Sequence, residues 1–395
     1  MTLQTRSALL QRLEAELGYP VVAYVTGDRP GLQTQVSWDQ VPLFRRHLSA
    51  MTQSAEMGLV LYTRGGDTNV PWTVVSYLRE HCDRLTVLIP FYAHSSGTLL
   101  TLGADNIVMT RYATISPIDP TVANQFNPQD PMNPAARLAI NVEDVLAYLE
   151  LAREQLGSND VAESGEAASR THLPEASFVR LADSVHPLAL GNVKRSVNQI
   201  RQLARKLLAL HPPERNEAEM SALVSALTTE FYSHQHQISR REAKAMGLPI
   251  TEPSEQLENL LLAYYDELVI DLELLLPFDA PRLLRTAFPP SVPAVVPAAL
   301  GPPIIQTPGL PISPPAPGLP PPAAPAQLTG TLTVHLERGY IETSHTCDAY
   351  TTRGEISYQP MAPQVQFAGG QQIMLPGGQQ AVRFDVLSEL WERLA

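Results

Sequence analysis

Met57-Gly-Leu-Val-Leu-Tyr-Thr-Arg-Gly65-Gly66-Asp67 opens the stretch, residues 57–120, whose reading decides the fold. A second apolar run, Leu85-Thr-Val-Leu-Ile-Pro-Phe-Tyr92, leads into His94-Ser95-Ser96-Gly97-Thr98 and a compact apolar segment. Asn106-Ile-Val-Met109 follows, then Ile115-Ser-Pro-Ile-Asp-Pro120. The nearly continuous apolar runs are those of strands buried on both faces of a parallel sheet. The first two end in glycine-bearing turns, and the intervening residues 70–84 and 97–103 have helical character. Strands alternating with helices predict an α/β fold with right-handed crossovers.

The same alternation extends outward from this stretch. Residues 2–17 carry Leu3, Leu9, Leu10, Leu13 and Leu17 near helical spacing. Val21–Val25 reads as a strand and Val41–Ser54 as a helix. Downstream, helices are predicted over 141–156, 174–185, 191–210, 240–246 and 255–276. Ser239-Arg-Arg-Glu242 has the capping-box pattern that opens the fourth of these, and Gly247 is placed to close it. Leu248-Pro-Ile250 can return to the sheet.

At residue 288 the composition changes: fifteen prolines fall between Phe288 and Gln327. No regular core element holds that density, so residues 281–327 are expected to form a Pro-rich linker with extended character. Residues 328–395 are expected to be a small β-rich C-terminal module, closing with a helix over Val386–Leu394. Residues 1–280 form the main domain on this reading.

The chain has 395 residues, 44% of them hydrophobic, enough to bury a sizeable core. A net charge of −12 argues against general nucleic-acid binding, which needs a basic face. Two cysteines, Cys82 and Cys347, provide no disulfide framework and fit a reducing compartment. Arg12, Glu14 and Glu16 interrupt any N-terminal signal-peptide core, and no apolar window is long enough to span a bilayer. A cytoplasmic location without a transmembrane segment is expected.

A serine needs a base for its proton and donors for the oxyanion before it becomes a useful nucleophile. A serine at a strand-to-helix junction is served by the free N–H groups of the helix N-terminus. Gly65-Gly66, one strand earlier, belongs at the neighbouring strand edge, where open α/β sheets hold their sites. Each signal alone is common. Together and in this order they mark a site.

Leu61-Tyr-Thr-Arg-Gly-Gly-Asp67, Ala93-His-Ser-Ser-Gly-Thr-Leu99, Leu102-Gly-Ala-Asp-Asn-Ile-Val-Met109 and Ile115-Ser-Pro-Ile-Asp-Pro120 resemble the ClpP/crotonase-type serine peptidases. Within them, they resemble the signal peptide peptidase A-like branch called the serine dehydrogenase proteinase family. Ser239-Arg-Arg-Glu-Ala-Lys-Ala-Met-Gly-Leu248 resembles a further element of that branch. The resemblance covers residues 20–250 and implies ClpP/crotonase-like repeated ββα units with a parallel sheet.

It also implies a serine-type endopeptidase that works through an acyl-enzyme, needs no cofactor, takes a peptide or protein substrate and assembles as a homo-oligomer. Ser95 matches the family nucleophile, with Ser96 as competitor. Gly65, Gly66 and the Ser96 N–H match the oxyanion hole. The region around Ser116-Pro-Ile-Asp119 lacks the histidine of ClpP itself, which favours a Ser-Lys dyad. The chain has only three lysines, Lys194, Lys206 and Lys244, and Lys194 is the expected base. An alternative alignment places Arg201 at that position, which removes the base.

Tyr92, Trp72 and the loop 124–134 are expected to wall the substrate pocket. His94 reads as a packing residue, and His234-Gln-His236 is too sparse for a metal site. Two other readings stay open: a catalytically inactive scaffold that recruits a partner through its C-terminal module, and an acyl-CoA hydrolase or hydratase using Asp67 or Asp119.

Overall fold

The computed structural model describes residues 2–118, 175–211, 215–230, 236–288, 330–360 and 380–394, with scattered positions between 121 and 154. The chain resolves into two compact units. The first comprises Met1–Pro277, Glu337–Tyr350 and Trp391–Ala395, and the second comprises Phe278–Leu336 and Thr351–Leu390.

In chain order the first unit begins with α1 (Thr2–Leu17), β1 (Val21–Thr26), α2 (Val41–Ala50), β2 (Glu56–Tyr62), α3 (Val70–Arg79) and β3 (Arg84–Ile89). Then come β4 (Tyr92–Ala93), α4 (Ser96–Leu102), β5 (Asn106–Met109), β6 (Thr114–Ile115), β7 (Thr121–Val122) and β8 (Ile140–Asn141). Helices α5 (Glu175–Ser184), α6 (Pro187–Leu208) and α7 (Glu217–Ser225) follow, then β9 (Ile238–Ser239), α8 (Arg240–Ala245), β10 (Ile250–Thr251) and α9 (Glu255–Asp271).

Strands β10, β5, β3, β2 and β1 lie side by side in that order, every neighbouring pair parallel. Their side chains alternate between two cores. Met57, Leu59 and Leu61 of β2 join one cluster, while Val60 and Tyr62 join the other. Helices α3, α4 and α6 supply the first cluster, through Val74, Leu99 and Ala204 among others. Helices α1 and α9 supply the second, through Leu10, Leu13, Leu261 and Tyr264. A buried aliphatic side chain contributes about 1.5–3 kcal/mol, so strands buried on both faces give this sheet most of its stability.

A second, smaller layer of pairing repeats the main one. β4 runs parallel to β6, and β6 pairs with β9. Single parallel bridges link Thr63 to Ala93 and Val36 to Gly66. Each long strand is thus followed by a short extended segment in the second layer, and after β2 and β3 by a helix. This is the arrangement of repeated ββα units with a parallel sheet that the sequence led us to expect.

On the far side of β1 the sheet continues through the C-terminal strands β11 (Thr331–Glu342), β12 (Cys347–Pro360) and β13 (Gln380–Arg393). β11 is antiparallel to β1, pairing Ala23 with Glu342 and Val25 with Tyr340. Residues 337–350 and 391–395 therefore belong to the first unit. Arg6 of α1 is fully buried there and bonds Glu342 at 3.0 Å and Asp271 of α9, with its guanidinium 3.8 Å from the Tyr340 ring centre.

In the second unit, α10 (Ala280–Ala287) packs Leu284 with Ile356, Phe384 and Val382, and Phe278 lies 4.9 Å from the Phe384 ring. The C-terminal region is β-rich as expected, but the helix expected over Val386–Leu394 is the second half of β13. Leu387, Leu390 and Trp391 have helical spacing, yet ladder pairing with β12 determines their conformation. The opening turns of the expected linker are helix α10. The linker from 289 to 327, and seven of the sixteen residues of the expected helix over 141–156, lie outside the described residues, while 144, 145, 147–151 and 154 are helical as expected.

Candidate active site

Ser95 sits between β4 and α4, as the residue that caps the helix. Its backbone has φ 53° and ψ −114°, one of only two non-glycine positive-φ residues among those described. Such a conformation costs on the order of 1–3 kcal/mol and persists only where the surroundings impose it. The surroundings are identifiable. The Ser95 N–H donates to Ser116 Oγ at 2.8 Å. Thr98 Oγ1 lies 2.9 Å from both Ala93 O and Ser116 O, and accepts from the Ser116 N–H at 3.1 Å. The Ile115-Ser-Pro turn thereby fixes the first turn of α4 against β4.

Gly65 and Gly66 lie at the end of β2, beside Ser95. Both have positive φ, 106° and 152°. A Cβ on Gly65 would stand 2.7 Å from Ser95 Cβ and 3.2 Å from Ser95 Oγ. A Cβ on Gly66 would stand 2.3 Å from Val36 O. Only glycine permits this approach.

The two glycines differ in what their N–H groups do. The Gly65 N–H donates to Thr63 Oγ1 at 2.9 Å. Val36 donates to Gly65 O and accepts from Asp67 N, both at 2.8 Å. In a parallel ladder, bonds at the residues on either side turn the middle residue's own N–H the other way. The Gly66 N–H therefore faces away from Val36, to the side where Ser95 lies. The Ser96 N–H opens α4, among the first N–H groups that have no intrahelical partner. Among the described residues the Gly66 and Ser96 N–H groups are the free donors here, and the Gly65 N–H, expected to be a third, is occupied.

Ser96 and Ser95 are distinguished by access. Ser96 is completely buried, and its Oγ has no partner among the described residues. Ser95 is 9% exposed, and its hydroxyl makes no hydrogen bond among the described residues. His94 turns aside: its ring bonds Thr114 Oγ1 at 2.9 Å and packs 4.7 Å from the Tyr92 ring.

The three lysines are all exposed. Lys194 follows the buried Val193 on α6 and projects off the helix face that carries Val193, Val197 and Ile200 inward. It makes no hydrogen bond or ion pair among the described residues. Lys206 lies 5.6 Å from the Trp72 ring, and Lys244 lies 4.0 Å from Glu252. Arg201 is half-buried and donates to Thr228 Oγ1 at 3.3 Å.

Trp72 and Tyr92, expected as pocket walls, pack against the clusters on opposite faces of the sheet. Tyr92 stacks with Tyr62 at 6.1 Å and carries the Arg64 guanidinium at 3.9 Å. Asp28 ties this group together, accepting from Tyr62 at 2.6 Å and from Arg64 at 2.6 Å. Burial and the Asp28 charge push the Tyr62 phenol far above its ordinary range.

Asp67 caps its own turn, accepting from the Asn69 N–H at 2.8 Å. Asp119 and His234 lie outside the described residues. His236 bonds Glu242 at 3.0 Å. The sequence reading missed Ser116, Thr63, Thr98 and Val36. Their types are ordinary, and only the second layer of pairing reveals them.

Residues 40–132 match the family model described as ClpP-like SDH-type serine proteinase. Two uncharacterized proteins of Methanocaldococcus jannaschii are similar. MJ0137 is 26% identical over 55% of this chain and 62% of its own length. MJ1495 is 30% identical over 29% of this chain and 36% of its own length. The chain thus spans less than two thirds of either relative. Among solved structures, the 1510-N membrane-bound stomatin-specific protease in complex with a substrate peptide aligns at a TM-score of 0.22 and 19% identity, over 30% of this chain and 56% of that one. That likeness is too loose to bear on the fold, which stands on the strand order and the repeated ββα units. The segment that matches the ClpP-like SDH-type serine proteinase model contains both Gly65-Gly66 and Ser95.

Proposed function

We propose that the protein is a serine peptidase in which Ser95 attacks the substrate carbonyl and the N–H groups of Gly66 and Ser96 receive the oxyanion. The observation that supports this most is the strained Ser95 backbone at the mouth of α4, pressed against Gly65. Strain of this kind clusters at functional sites. Two convergent N–H donors suit the charge that develops on the carbonyl oxygen. Ser95 Oγ would bond the carbonyl carbon, the amine would leave with a proton, and water would release the acyl group. A peptide substrate and a homo-oligomeric assembly are part of this proposal, on family grounds.

Lys194 is the proposed base on resemblance alone, and its exposure on α6 supports a second reading. In that reading the chain is an inactive scaffold that holds an extended peptide and recruits a partner through its C-terminal region. Labelling with a fluorophosphonate probe separates the two. The peptidase reading expects an adduct on Ser95 in the wild type and in Ser96→Ala, and strong loss in Lys194→Ala. An adduct that persists in Lys194→Ala removes the lysine from the mechanism. A folded wild type that takes no adduct favours the scaffold.

A further inference from the structure

A second hydroxyl, far from Ser95 in sequence, is wired to a base. The turn joining β11 to β12, Thr343–Thr346, sits against the C-terminal half of α2. Thr346 Oγ1 lies 3.0 Å from His47 Nδ1, and His47 Nε2 lies 2.8 Å from Asp348 Oδ2. His47 and Asp348 are buried, and Thr346 is half-buried. Asp348 also accepts from Arg393 at 2.9 Å and pairs with Arg46 at 2.5 Å.

The direction of each proton follows from these partners. Two guanidiniums and the imidazole hold the Asp348 carboxyl below its ordinary range despite its burial. An ionised carboxylate only accepts, so His47 Nε2 carries the hydrogen that faces it. Burial lowers the His47 pKa, outweighing the Asp348 charge, and keeps the ring neutral near pH 7. A neutral imidazole protonated at Nε2 offers a lone pair at Nδ1. Thr346 must therefore point its hydroxyl hydrogen at Nδ1. Thr343 Oγ1 lies 3.1 Å on the other side of Thr346 Oγ1 and already accepts from the N–H groups of His345 and Thr346. Its own hydrogen is left to bond Thr346, which reinforces that direction.

This hydroxyl, imidazole and carboxylate stand in the order that activates a nucleophile. They also face space. His47 and Thr346 line a cavity of about 460 Å³, with Thr52, Gln53, Ser54 and Ser344 on its walls. That volume is in the range of small-molecule sites, and its hydroxyl and amide walls, with the Glu14 carboxylate among them, suit a polar ligand that carries no negative charge.

We propose that Thr346 is an acyl acceptor, activated by His47 and oriented through Asp348, for a small carboxylic ester bound in this cavity. Thr346 Oγ bonds the ester carbonyl carbon as its proton passes to His47 Nδ1. The ester C–O bond breaks, and the alcohol leaves with that proton. The product is an acyl-threonine, which water hydrolyses to the free acid.

The test uses the full chain carrying Ser95→Ala, so its outcome is independent of the Ser95 proposal. The chain is treated with p-nitrophenyl acetate and the adducts are located by peptide mass mapping. Acetylation is expected on Thr346, absent in Thr346→Ala and kept in Thr346→Ser. It should fall about a hundredfold in His47→Gln, the usual scale for loss of a general base. Its rate should also fall as pH drops and His47 becomes protonated, a readout that needs no buried substitution. No acetyl group on Thr346 in the folded Ser95→Ala chain overturns the proposal. So does acetylation whose rate is indifferent to pH between 5 and 8, since the imidazole is then not the base.

Discussion

The Gly65 backbone runs so close to Ser95 that a methyl group on it would lie 2.7 Å from the Ser95 Cβ. Gly65→Ala adds that clash to a φ of 106°, which L-residues rarely adopt. Strain on the order of 1–3 kcal/mol is expected, as a lower melting temperature together with at least about tenfold slower fluorophosphonate labelling. Gly191→Ala is the matched control. It lies in α6 with nothing within 4 Å of its added Cβ, and alanine in a helix interior gains about 0.5–1 kcal/mol over glycine.

Ser96→Ala separates the two serines. The Ser96 hydroxyl is buried without a partner among the described residues, and such a group costs about 1–3 kcal/mol. The variant keeps the Ser96 N–H while losing that hydroxyl. Unchanged or raised thermal stability is expected, with labelling at Ser95 retained. Loss of labelling in a stable Ser96→Ala protein would show that the side chain, not the backbone, serves the site.

Arg6 is the central cation of a buried group that joins α1, α9 and β11. Its side chain is 1% exposed, as is that of Glu342, and Tyr264 also donates to Glu342 at 2.6 Å. Arg6→Met leaves Glu342 and Asp271 buried without their cation. Removing one partner of such a pair costs about 3–5 kcal/mol. Denaturant unfolding should show a loss of this size, while the exposed pair Arg84–Glu56 at 3.4 Å should give under about 1 kcal/mol when Arg84 is replaced.

Acid should weaken the fold through His47. Burial, outweighing the Asp348 charge, lowers its pKa in the folded state. The unfolded chain therefore binds the proton first as pH falls, and stability is lost below the ordinary histidine range near 6.5. Above that range the contribution is fully present. Unfolding measured from pH 7.5 to 5 should show stability declining with acid, and His47→Gln should flatten that decline.

The main sheet was legible because its strands are buried on both faces. Residues 57–62, 85–89 and 106–109 are apolar runs bounded by polar turns, too short for a buried helix and too uniformly apolar for a strand with one wet face. The capping box at Ser239 and the glycine at 247 were equally local, and both appear as read. Long-range pairing was not legible. Leu387, Leu390 and Trp391 have helical spacing, and only the ladder with β12 makes them a strand.

The site divides along the same line. Ser95 and Gly66 are marked by motif. The occupied Gly65 N–H depends on a threonine hydroxyl two residues earlier, and the separation of Trp72 from Tyr92 depends on which side of the sheet each packs against. Lys194 was named by resemblance, and on α6 it lies one step of about 100° from the buried Val193, on the exposed side of the helix.

The central claim is that Ser95 is a nucleophile held in a strained turn beside two oxyanion donors. Its most direct measurement is fluorophosphonate labelling of the wild-type chain, with the modified residue located by mass spectrometry and Ser95→Ala in parallel. A single adduct in the 94–98 turn, on Ser95 and gone in Ser95→Ala, is the predicted result. A correctly folded wild type with no adduct at Ser95, or an adduct on Ser96 that survives Ser95→Ala, would contradict it.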